Sequence, residues 1–330
     1  MRILISGGVL AEPANWHDLE ALLDRARRQK CYVDALDPAM SATNPWLDQA
    51  NHKRQEDWQT ASDWAAMDAA LFRLRTFVVD AEADETATPP RITLGDAIEL
   101  ADQTAFLWVE NGRNDRRFFL GMMPVEQRAA FEEWERRRIM EFKGGGGLGE
   151  ARKGMEELAA RGGLDPRMNR ALFDSDGEVP GHRSRGALLM VDFCKDKAIG
   201  YHCLARRAIE NYLPKKALWA WGTAGSNRAV RDERLAKLGA FKRMNDPQRY
   251  HFHLKSGWDQ APSEAVAALY ASVAKADHDI LGKGIEKDIA SLYDTYADHM
   301  HEWANEEGVD PGLQSMIDEI TDWIRVPYAR

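Results

Sequence analysis

The chain has 330 residues, enough for two or three domains with separate hydrophobic cores. No stretch approaches 18 uninterrupted apolar residues, and the N-terminus is too short and too weakly apolar for a signal peptide, so we expect no membrane span. The three cysteines are scattered and form no CxxC pair. This excludes a disulfide framework and a thiolate zinc site, and it fits a reducing cytoplasm.

The formal net charge of −9 by itself argues against a nucleic-acid partner, but the charge is unevenly distributed. Residues 206–255 hold twelve Lys or Arg against four Asp or Glu, whereas residues 256–330 hold five against fifteen. A basic middle segment beside an acidic end is compatible with phosphate binding on one surface. The alternative is a solvated helix face whose charges pair with acidic neighbours.

The first part of the chain predicts a short strand at residues 2–6 and an amphipathic helix at 18–29. One or two further helices are expected between residues 51 and 74. The acidic, proline-containing stretch 80–90 interrupts any periodic pattern and predicts a surface loop. We therefore predict a first domain over residues 1–90, α/β or helical, which offers a surface for a partner or for dimerisation.

After residue 90, helical and extended patterns alternate. Strands are predicted at residues 106–109, 138–142, 170–173 and 198–204, and helices at 94–103, 116–123, 127–137, 150–160 and 183–191. This alternation predicts a parallel sheet covered by helices, with a domain over residues 91–215. A basic segment and a mainly helical region are expected over residues 216–330, with one apolar strand at 250–254.

Acidic side chains follow two of the predicted strands. They are Glu110 and Asp115 after the first strand, and Asp174, Asp176 and Glu178 after the third. Because ligands bind at the carboxyl ends of parallel strands, these acids should converge, and crowded carboxylates repel one another unless a cation neutralises them. Hard oxygen ligands favour Mg²⁺ or Mn²⁺, so the pattern predicts a divalent-metal site. Taken singly, each acid has the alternative of capping a turn.

Four consecutive glycines, residues 144–147, stand between a predicted strand and a predicted helix. A strand, a glycine-rich turn and a helix together expose backbone N–H groups to an anion. No Gly-Lys-Ser/Thr follows, so the turn is not a Walker A motif and ATP binding is not supported. A flexible turn without a ligand is the alternative.

Three of these features together resemble the Toprim fold, the metal-binding domain of topoisomerases, primases and OLD-family nucleases. They are Val109-Glu110 with Gly112 and Asp115, the glycine-rich turn, and Asp174-Ser175-Asp176. The segment Arg206-Arg207-Ala208-Ile209-Glu210-Asn211-Tyr212-Leu213 resembles the RxIENYL segment of OLD-type Toprim proteins, which are often encoded with, or fused to, ABC-type ATPases in anti-phage defence. The resemblance covers residues 100–215 and, more loosely, the C-terminal third, where residues 282–293 are similar to the helical part of such effectors. It does not extend to the first ninety residues.

The resemblance implies roles for the acids. Glu110 matches the first-strand glutamate, which ligates metal and serves in acid–base chemistry. Asp115 is similar to the aspartate of the VEGxxD motif, although this chain has one extra residue and Asn111 where glycine is usual. The other implied metal ligands are Asp174 and Asp176 as the DxD pair, Glu178 as a third acid, and Glu210 as a ligand to a second metal ion.

In these nucleases a lysine stabilises the transition-state phosphate. Lys255, at the end of the predicted strand 250–254, is the predicted lysine, with Lys242 and Lys215 as rivals. The basic segment supplies the residues predicted to contact nucleic acid, namely Arg206, Arg207, Lys215, Lys216, Lys242 and Arg243.

The sequence thus predicts an α/β protein with a Toprim-like parallel sheet flanked by helices, a mixed N-terminal extension and a mainly helical C-terminal region. The predicted function is that of a cytoplasmic endonuclease that hydrolyses DNA or RNA with two Mg²⁺ or Mn²⁺ ions. It would act as the effector of an anti-phage defence system with an ATPase partner, and it could form a homo-oligomer.

The main alternative is a catalytically silent Toprim-like module that binds and regulates an ATPase. Primase or topoisomerase activity is a third interpretation, for which no winged-helix tyrosine pattern or zinc ribbon is visible. A zinc site built on His251 and His253, which would share a face of the predicted strand, lacks further ligands at zinc spacing. No serine stands in a nucleophile elbow, which argues against a serine hydrolase.

Overall fold

The structure is a computed structural model that describes residues 1–258, 261–308 and 310–327. The chain divides into two compact units: the first comprises residues 1–105, 134–140 and the described part of 317–330, and the second comprises residues 106–133 and 141–316. The elements up to residue 104 are β1 (Arg2–Ile5), α1 (Gly7–Ala11), α2 (Trp16–Arg27), β2 (Tyr32–Ala35), α3 (Ala39–Ala42), α4 (Pro45–Gln49), α5 (His52–Leu71), β3 (Thr76–Val79), β4 (Arg91–Ile92) and α6 (Leu94–Asp102).

The later elements continue in the same order. They are β5 (Ala105–Trp108), α7 (Asn114–Gly121), α8 (Val125–Arg136), β6 (Met140–Lys143), α9 (Leu148–Ala160), β7 (Asn169–Phe173), α10 (Arg185–Asp196), β8 (Gly200–Cys203), α11 (Lys215–Thr223), α12 (Arg228–Arg243), α13 (Asp246–His251), α14 (Glu264–Tyr270), α15 (Lys275–Ile280), α16 (Leu292–Thr295), α17 (Ala297–Glu306) and α18 (Pro311–Ile324). Short 3-10 helices lie at Pro13–Asn15, Pro166–Met168, Ile209–Tyr212 and Ile289–Ser291.

The first unit contains a four-stranded sheet in the order β2-β1-β3-β4, with all three pairings parallel. Residues 80–90 form an irregular connection, as predicted, but β4 follows it and pairs with β3 so that Ile92 lies opposite Val79. The predicted boundary near residue 90 therefore falls inside this sheet. The N-terminal part of the chain is a parallel sheet flanked by helices, and it extends to residue 105.

The second unit contains a four-stranded sheet in the order β6-β5-β7-β8, where β7 runs parallel to both β5 and β8. Trp108 lies opposite Ala171, and Phe173 lies opposite Cys203. Helices α9 and α10 pack against each other beside this sheet, burying a cluster that includes Met155 and Met190. The predicted α/β class is confirmed; two parallel sheets flanked by helices are a general architecture and do not single out the Toprim fold.

The predicted strand at residues 250–254 is wrong, because α13 occupies its first half. The side chain of Asn245 accepts a hydrogen bond from the Gln248 N–H, the side chain of Gln248 accepts one from the Asn245 N–H, and Pro247 lies in the first turn. This capping box starts a helix and outweighs the apolar pattern that follows it. His251 and His253 therefore share no strand face. His251 is buried at the helix end, where its Nδ1 lies 2.7 Å from the Gly177 carbonyl oxygen.

Within the described part of the chain, every element after β8 is helical, as predicted for the C-terminal region. The longest helix of the structure, α5, has 20 residues, including charged ones. None of the described helices combines the length and the apolar character needed to cross a membrane.

Candidate active site

The carboxyl ends of β5 and β7 bring the predicted acids together. Glu110 follows β5 by two residues, and Asp174 follows β7 directly. The side chain of Glu110 accepts a hydrogen bond of 3.1 Å from the backbone N–H of Asp174. Two acids separated by 64 positions in the sequence are therefore neighbours at one edge of the sheet.

These side chains line a cavity of about 350 Å³, which we call the carboxylate cavity. It is defined by the four acids Glu110, Asp115, Asp174 and Glu210 and by Lys255, the single cationic side chain among its lining residues. Gly146 and Gly147 of the glycine-rich turn form part of its wall. All of these residues belong to the second unit.

Asp115 reaches the cavity despite the departure from the VEGxxD spacing. The side chain of Asn111 accepts hydrogen bonds from the backbone N–H groups of Arg113 and Asn114, which folds the extra residue into a compact turn. The Asp115 carboxylate in turn accepts a 2.9 Å hydrogen bond from the Asn111 N–H. Asn111 in place of glycine therefore holds the loop closed, and Asp115 is buried in the first turn of α7.

Glu210 is presented by the 3-10 helix at Ile209–Tyr212, which is anchored on several sides. The Asp174 side chain accepts from the Ile209 N–H at 3.0 Å, and the Tyr293 hydroxyl donates to the Ile209 carbonyl at 2.7 Å. The amide of Asn211 donates to the carbonyl oxygens of Arg249 and Phe252. These contacts fix the segment that resembles IENYL against the edge of the sheet and bury Glu210 to 3% exposure.

Lys255 lies in the turn after α13 and pairs with Glu210, with 2.9 Å between Nζ and Oε1. The turn is held in place by a 2.7 Å hydrogen bond from the Ile285 N–H to the Leu254 carbonyl. Burial works to lower the pKa of Lys255, but the charge and hydrogen bond of Glu210 outweigh it, and the net pKa is raised. Lys255 therefore keeps its positive charge beside the acids. The sequence pattern predicts it at the end of a strand, whereas the structure has it in a turn after a helix.

The acids of the cavity are electrostatically crowded. Burial, followed by the charges of Asp176 and Asp115, raises the pKa of Glu110 to about 8. Burial also raises the pKa of Asp115 to about 6, against the lowering effect of its backbone hydrogen bonds. Burial and the charges of Glu110 and Asp115 raise the pKa of Asp174 well above its usual range. Ionising all of these groups at neutral pH requires a compensating cation beyond Lys255.

The glycine-rich turn has a defined conformation. All four glycines adopt positive φ, from 152° at Gly144 to 91° at Gly147. A Cβ on Gly144 would lie 1.9 Å from the Val109 carbonyl oxygen, and the Gly147 N–H donates to the Glu110 carbonyl at 3.2 Å. Only glycine lets the chain pass this close to the end of β5, so the turn forms a packed wall of the cavity.

The donor set fits Mg²⁺ or Mn²⁺. Glu110 and Asp174 each use one carboxylate oxygen in the hydrogen bonds described above, and in the described part of the chain the second oxygen of each accepts no hydrogen bond. Buried, mutually repelling carboxylates are hard ligands of the kind these cations prefer. Across residues 1–258, 261–308 and 310–327, no three His, Cys, Asp or Glu side chains already stand in a metal-coordinating arrangement.

Two predicted ligands lie outside the cavity lining. Asp176 is exposed and has a φ of 47°, and its charge acts on Glu110 and Asp174, so it lies near the site without lining the cavity. Glu178 is also absent from the lining, and its charge acts on Tyr270 instead. Four of the six predicted ligands, Glu110, Asp115, Asp174 and Glu210, therefore line the carboxylate cavity together.

Four of the six residues predicted to bind nucleic acid are engaged within the protein. The Arg206 guanidinium lies 3.9 Å from the centre of the Tyr250 ring and donates to the Asn211 carbonyl at 2.7 Å. Arg207 donates to the His251 carbonyl. Lys216 forms an ion pair with Glu306, and Arg243 forms one with Asp277 at 2.8 Å.

Lys215 and Lys242 are the remaining two, and both are exposed. Several basic residues of 206–255 therefore have partners within the protein. This agrees in part with the alternative interpretation, in which the basic charges pair with acidic neighbours. The sequence interpretation also missed the supporting residues Asn211 and Tyr293. Their roles depend on contacts between segments remote in the chain, which no local pattern shows.

No protein-family model, curated protein or solved structure matches the chain. The resemblance to Toprim proteins accordingly rests on the residues and motifs described above.

Proposed function

We propose that the chain is a divalent-metal-dependent nuclease of the OLD-like Toprim type, which hydrolyses phosphodiester bonds in DNA or RNA. One observation carries the proposal: four acids from three separate segments line one cavity, and their burial and mutual repulsion raise the pKa values of three of them. Such crowding is unfavourable in a site with only a structural role, and it is the arrangement that a divalent cation relieves.

In the proposed hydrolysis of phosphodiester bonds, the acids and the lysine of the cavity have different roles. Glu110, Asp115, Asp174 and Glu210 would hold Mg²⁺ or Mn²⁺, which activates water and stabilises the leaving oxygen when bound. Lys255 keeps a positive charge at the cavity and would stabilise negative charge that develops on the phosphate oxygens. The hydrogen bonds from the Asn111 and Ile209 N–H groups hold the Asp115 and Asp174 carboxylates in position.

The resemblance to OLD-type proteins extends this proposal to a biological role. We propose a cytoplasmic effector of anti-phage defence that acts with an ABC-type ATPase and that could assemble with further copies of itself. Co-purification of such an ATPase with the tagged chain, and loss of phage protection in Glu110→Gln, would support this role. Protection that persists in Glu110→Gln would contradict it.

A catalytically silent regulatory module is the second candidate, and two observations favour it. Lys255 already neutralises Glu210, and no described group of acids is prearranged for coordination. A module of this kind would bind its ATPase tightly and would cleave no nucleic acid with any divalent metal. The presence of all four cavity acids is the observation that weighs against it.

Cleavage assays on plasmid DNA, single-stranded DNA and RNA with Mg²⁺ or Mn²⁺ distinguish the two candidates. Glu110→Gln should lower the cleavage rate by about 10³-fold, because it removes one preorganised charged group from the site. Glu178→Gln is the matched control, since Glu178 follows the same strand as Asp174 but lies outside the cavity lining, and it should cleave like the wild type. Equal cleavage by the wild type and Glu110→Gln would refute the site assignment.

A further inference from the structure

A second concave site lies between α11 and α12, which pack against each other in the second unit. It has a volume of about 490 Å³, and we call it the α11–α12 groove. Leu218, Leu238 and Phe241 contribute its apolar lining, and Trp219 and Lys242 are also part of it. None of these residues lines the carboxylate cavity.

Trp219 is the unusual residue of this groove. Its exposure is 61%, whereas its helix neighbours Leu218 and Trp221 are buried. A large aromatic side chain left this exposed beside an apolar groove is typical of a binding surface. A second aromatic residue, Trp303 of α17, also lines the groove.

The charges at the groove are positive. Its lining contains Lys215, Lys216, Lys242 and Arg249 and includes no acidic residue. Lys216 pairs with Glu306 and Arg249 pairs with Asp246, whereas the side chains of Lys215 and Lys242 form no ion pair with any residue that the structure describes. An occupant that matches this surface has a flat apolar ring and nearby negative charge, and a nucleotide unit combines the two.

The size of the groove favours a nucleotide unit over a protein helix. About 490 Å³ lies within the range of small-molecule sites, roughly 300 to 1,000 Å³. A stable protein partner needs an interface of roughly 800 Å² on each side, which extends well beyond such a pocket.

A further cavity has lining residues in common with both the groove and the carboxylate cavity. This cavity of about 230 Å³ shares Lys215, Leu218 and Phe241 with the groove, and it shares Glu210 with the carboxylate cavity. Two of its acidic side chains are already engaged, since Asp246 pairs with Arg249 and Glu307 accepts from the first N–H groups of α11. The groove and the carboxylate cavity therefore both border this third cavity of the second unit.

We propose that the α11–α12 groove binds a base of a single-stranded nucleic acid, with the ring stacked on Trp219 and the neighbouring phosphates on Lys215 and Lys242. The inference rests on the proposed function, because it names a single strand as the nucleic acid that the carboxylate cavity would cleave. Base stacking on an aromatic side chain binds strands without strong sequence preference.

Binding of a fluorescent oligothymidine of about ten nucleotides, measured by anisotropy in EDTA, tests this inference without relying on cleavage. Trp219→Ala should weaken binding by about 10- to 100-fold, because stacking of one base contributes roughly that much. Trp219→Phe should stay close to the wild type, whereas Trp219→Leu should resemble Trp219→Ala. Lys215→Ala combined with Lys242→Ala should reduce the salt dependence of log K by about 1.4, since each phosphate contact contributes about 0.7 for a single strand.

Leu188→Ala and Lys195→Ala serve as matched controls. Both residues are exposed on α10 and line neither the groove nor the carboxylate cavity, and both variants should bind like the wild type. The melting temperature of each variant reports whether it is folded.

Unchanged binding in folded Trp219→Ala would overturn the inference. Full binding by Trp219→Leu would also overturn it, because leucine offers an apolar contact but no aromatic ring on which a base can stack. Equal competition by a mononucleotide, or tighter binding of duplex that depends on Trp219, would exclude a single strand as the occupant. Strand binding that depends on Trp219 in a protein that cleaves nothing would uphold the groove while refuting the nuclease.

Discussion

The two sheets of this protein have the same strand number and parallel pairing, yet the acids at their carboxyl ends have different partners. In the first sheet, Asp34 near the end of β2 accepts hydrogen bonds from the hydroxyls of Ser41 and Ser62 and pairs with Arg2 at 3.5 Å. Asp80, after β3, accepts from a serine hydroxyl and pairs with an arginine. Each of these acids has its own local partners.

In the second sheet, the acids face one another. The side chains of Glu110 and Asp174 each accept one hydrogen bond from a backbone N–H, and Lys255 is the one cationic residue that lines their cavity. Topology places acids at the edge of both sheets, but their immediate partners decide what the acids can do. Acids with hydroxyl and guanidinium partners stabilise the fold, whereas the acids crowded against one another in the second sheet are the ones that we propose bind a cation.

The largest expected difference between the sheets is in catalysis. Asp174→Asn should lower metal-dependent cleavage by about 10³-fold, because it removes charge from the carboxylate cavity while keeping the size of the side chain. Asp80→Asn makes the same change at the edge of the first sheet, and it should leave the cleavage rate of the folded protein unchanged. Initial rates on one substrate with Mn²⁺ measure both variants. A large loss in Asp80→Asn with little loss in Asp174→Asn would reverse the assignment.

The glycine-rich turn offers the next largest effect. Gly144→Ala should destabilise the protein by at least about 2 kcal/mol and impair cleavage, because the added Cβ meets the Val109 carbonyl oxygen at 1.9 Å. Gly149→Ala is the control, since it lies within α9 where an added Cβ contacts nothing within 4 Å, and it should be neutral or slightly stabilising. Urea denaturation of both variants gives the comparison. Equal stability of the two would mean that the turn is not packed against β5.

Substituting an acid of the first sheet and an acid of the second sheet should change the metal-free free energy of unfolding in opposite directions. Asp34→Ala should lower the free energy of unfolding by about 2 kcal/mol, because it leaves the Ser41 and Ser62 hydroxyls without their acceptor. Asp174→Asn should raise it by about 1 kcal/mol in EDTA, because it relieves repulsion while its amide oxygen can still accept from the Ile209 N–H. Denaturation in EDTA measures both. A loss of stability in Asp174→Asn comparable to that in Asp34→Ala would make the second cluster structural as well.

A further difference is expected from pH. The pKa of Glu110 is raised from 4.5 to about 8 in the folded chain, so the metal-free folded state binds more protons than the unfolded state between these values. Metal-free stability should therefore fall as pH rises through this window, contributing roughly 5 °C of melting temperature between pH 5.5 and 8.5.

Added Mg²⁺ should raise the melting temperature more at pH 8.5 than at pH 5.5, because protons compete with the metal for the same carboxylates. Thermal melts with Mg²⁺ and with EDTA give the comparison, and Glu110→Gln should show a weaker dependence on pH. A Mg²⁺ effect that is the same at both pH values would argue against binding by these acids.

The sequence predicts the second sheet well, because its strands are short apolar runs that end in turn residues. The predicted strands at 106–109 and 170–173 agree with β5 and β7 to within a residue, and this places Glu110 and Asp174 at one edge. The same pattern failed at residues 250–254, where the capping box of Asn245 and Gln248 starts a helix instead.

Other features of the site could not be predicted from local patterns. The pair of Lys255 with Glu210 joins segments 45 positions apart. Whether a basic residue is available to a ligand also depends on tertiary partners. Arg243 forms an ion pair with Asp277, whereas the adjacent Lys242 forms no ion pair with any residue that the structure describes.

The most direct test of the account is to locate Mn²⁺ by anomalous scattering in crystals of the wild-type protein. We expect a peak in the carboxylate cavity, within about 2.2 Å of oxygens of Glu110 and Asp174 and absent in Asp174→Asn. Crystals soaked in Mn²⁺ that show no peak between these two acids, or a peak only elsewhere in the protein, would contradict the claim that this crowded edge of the sheet binds a divalent cation.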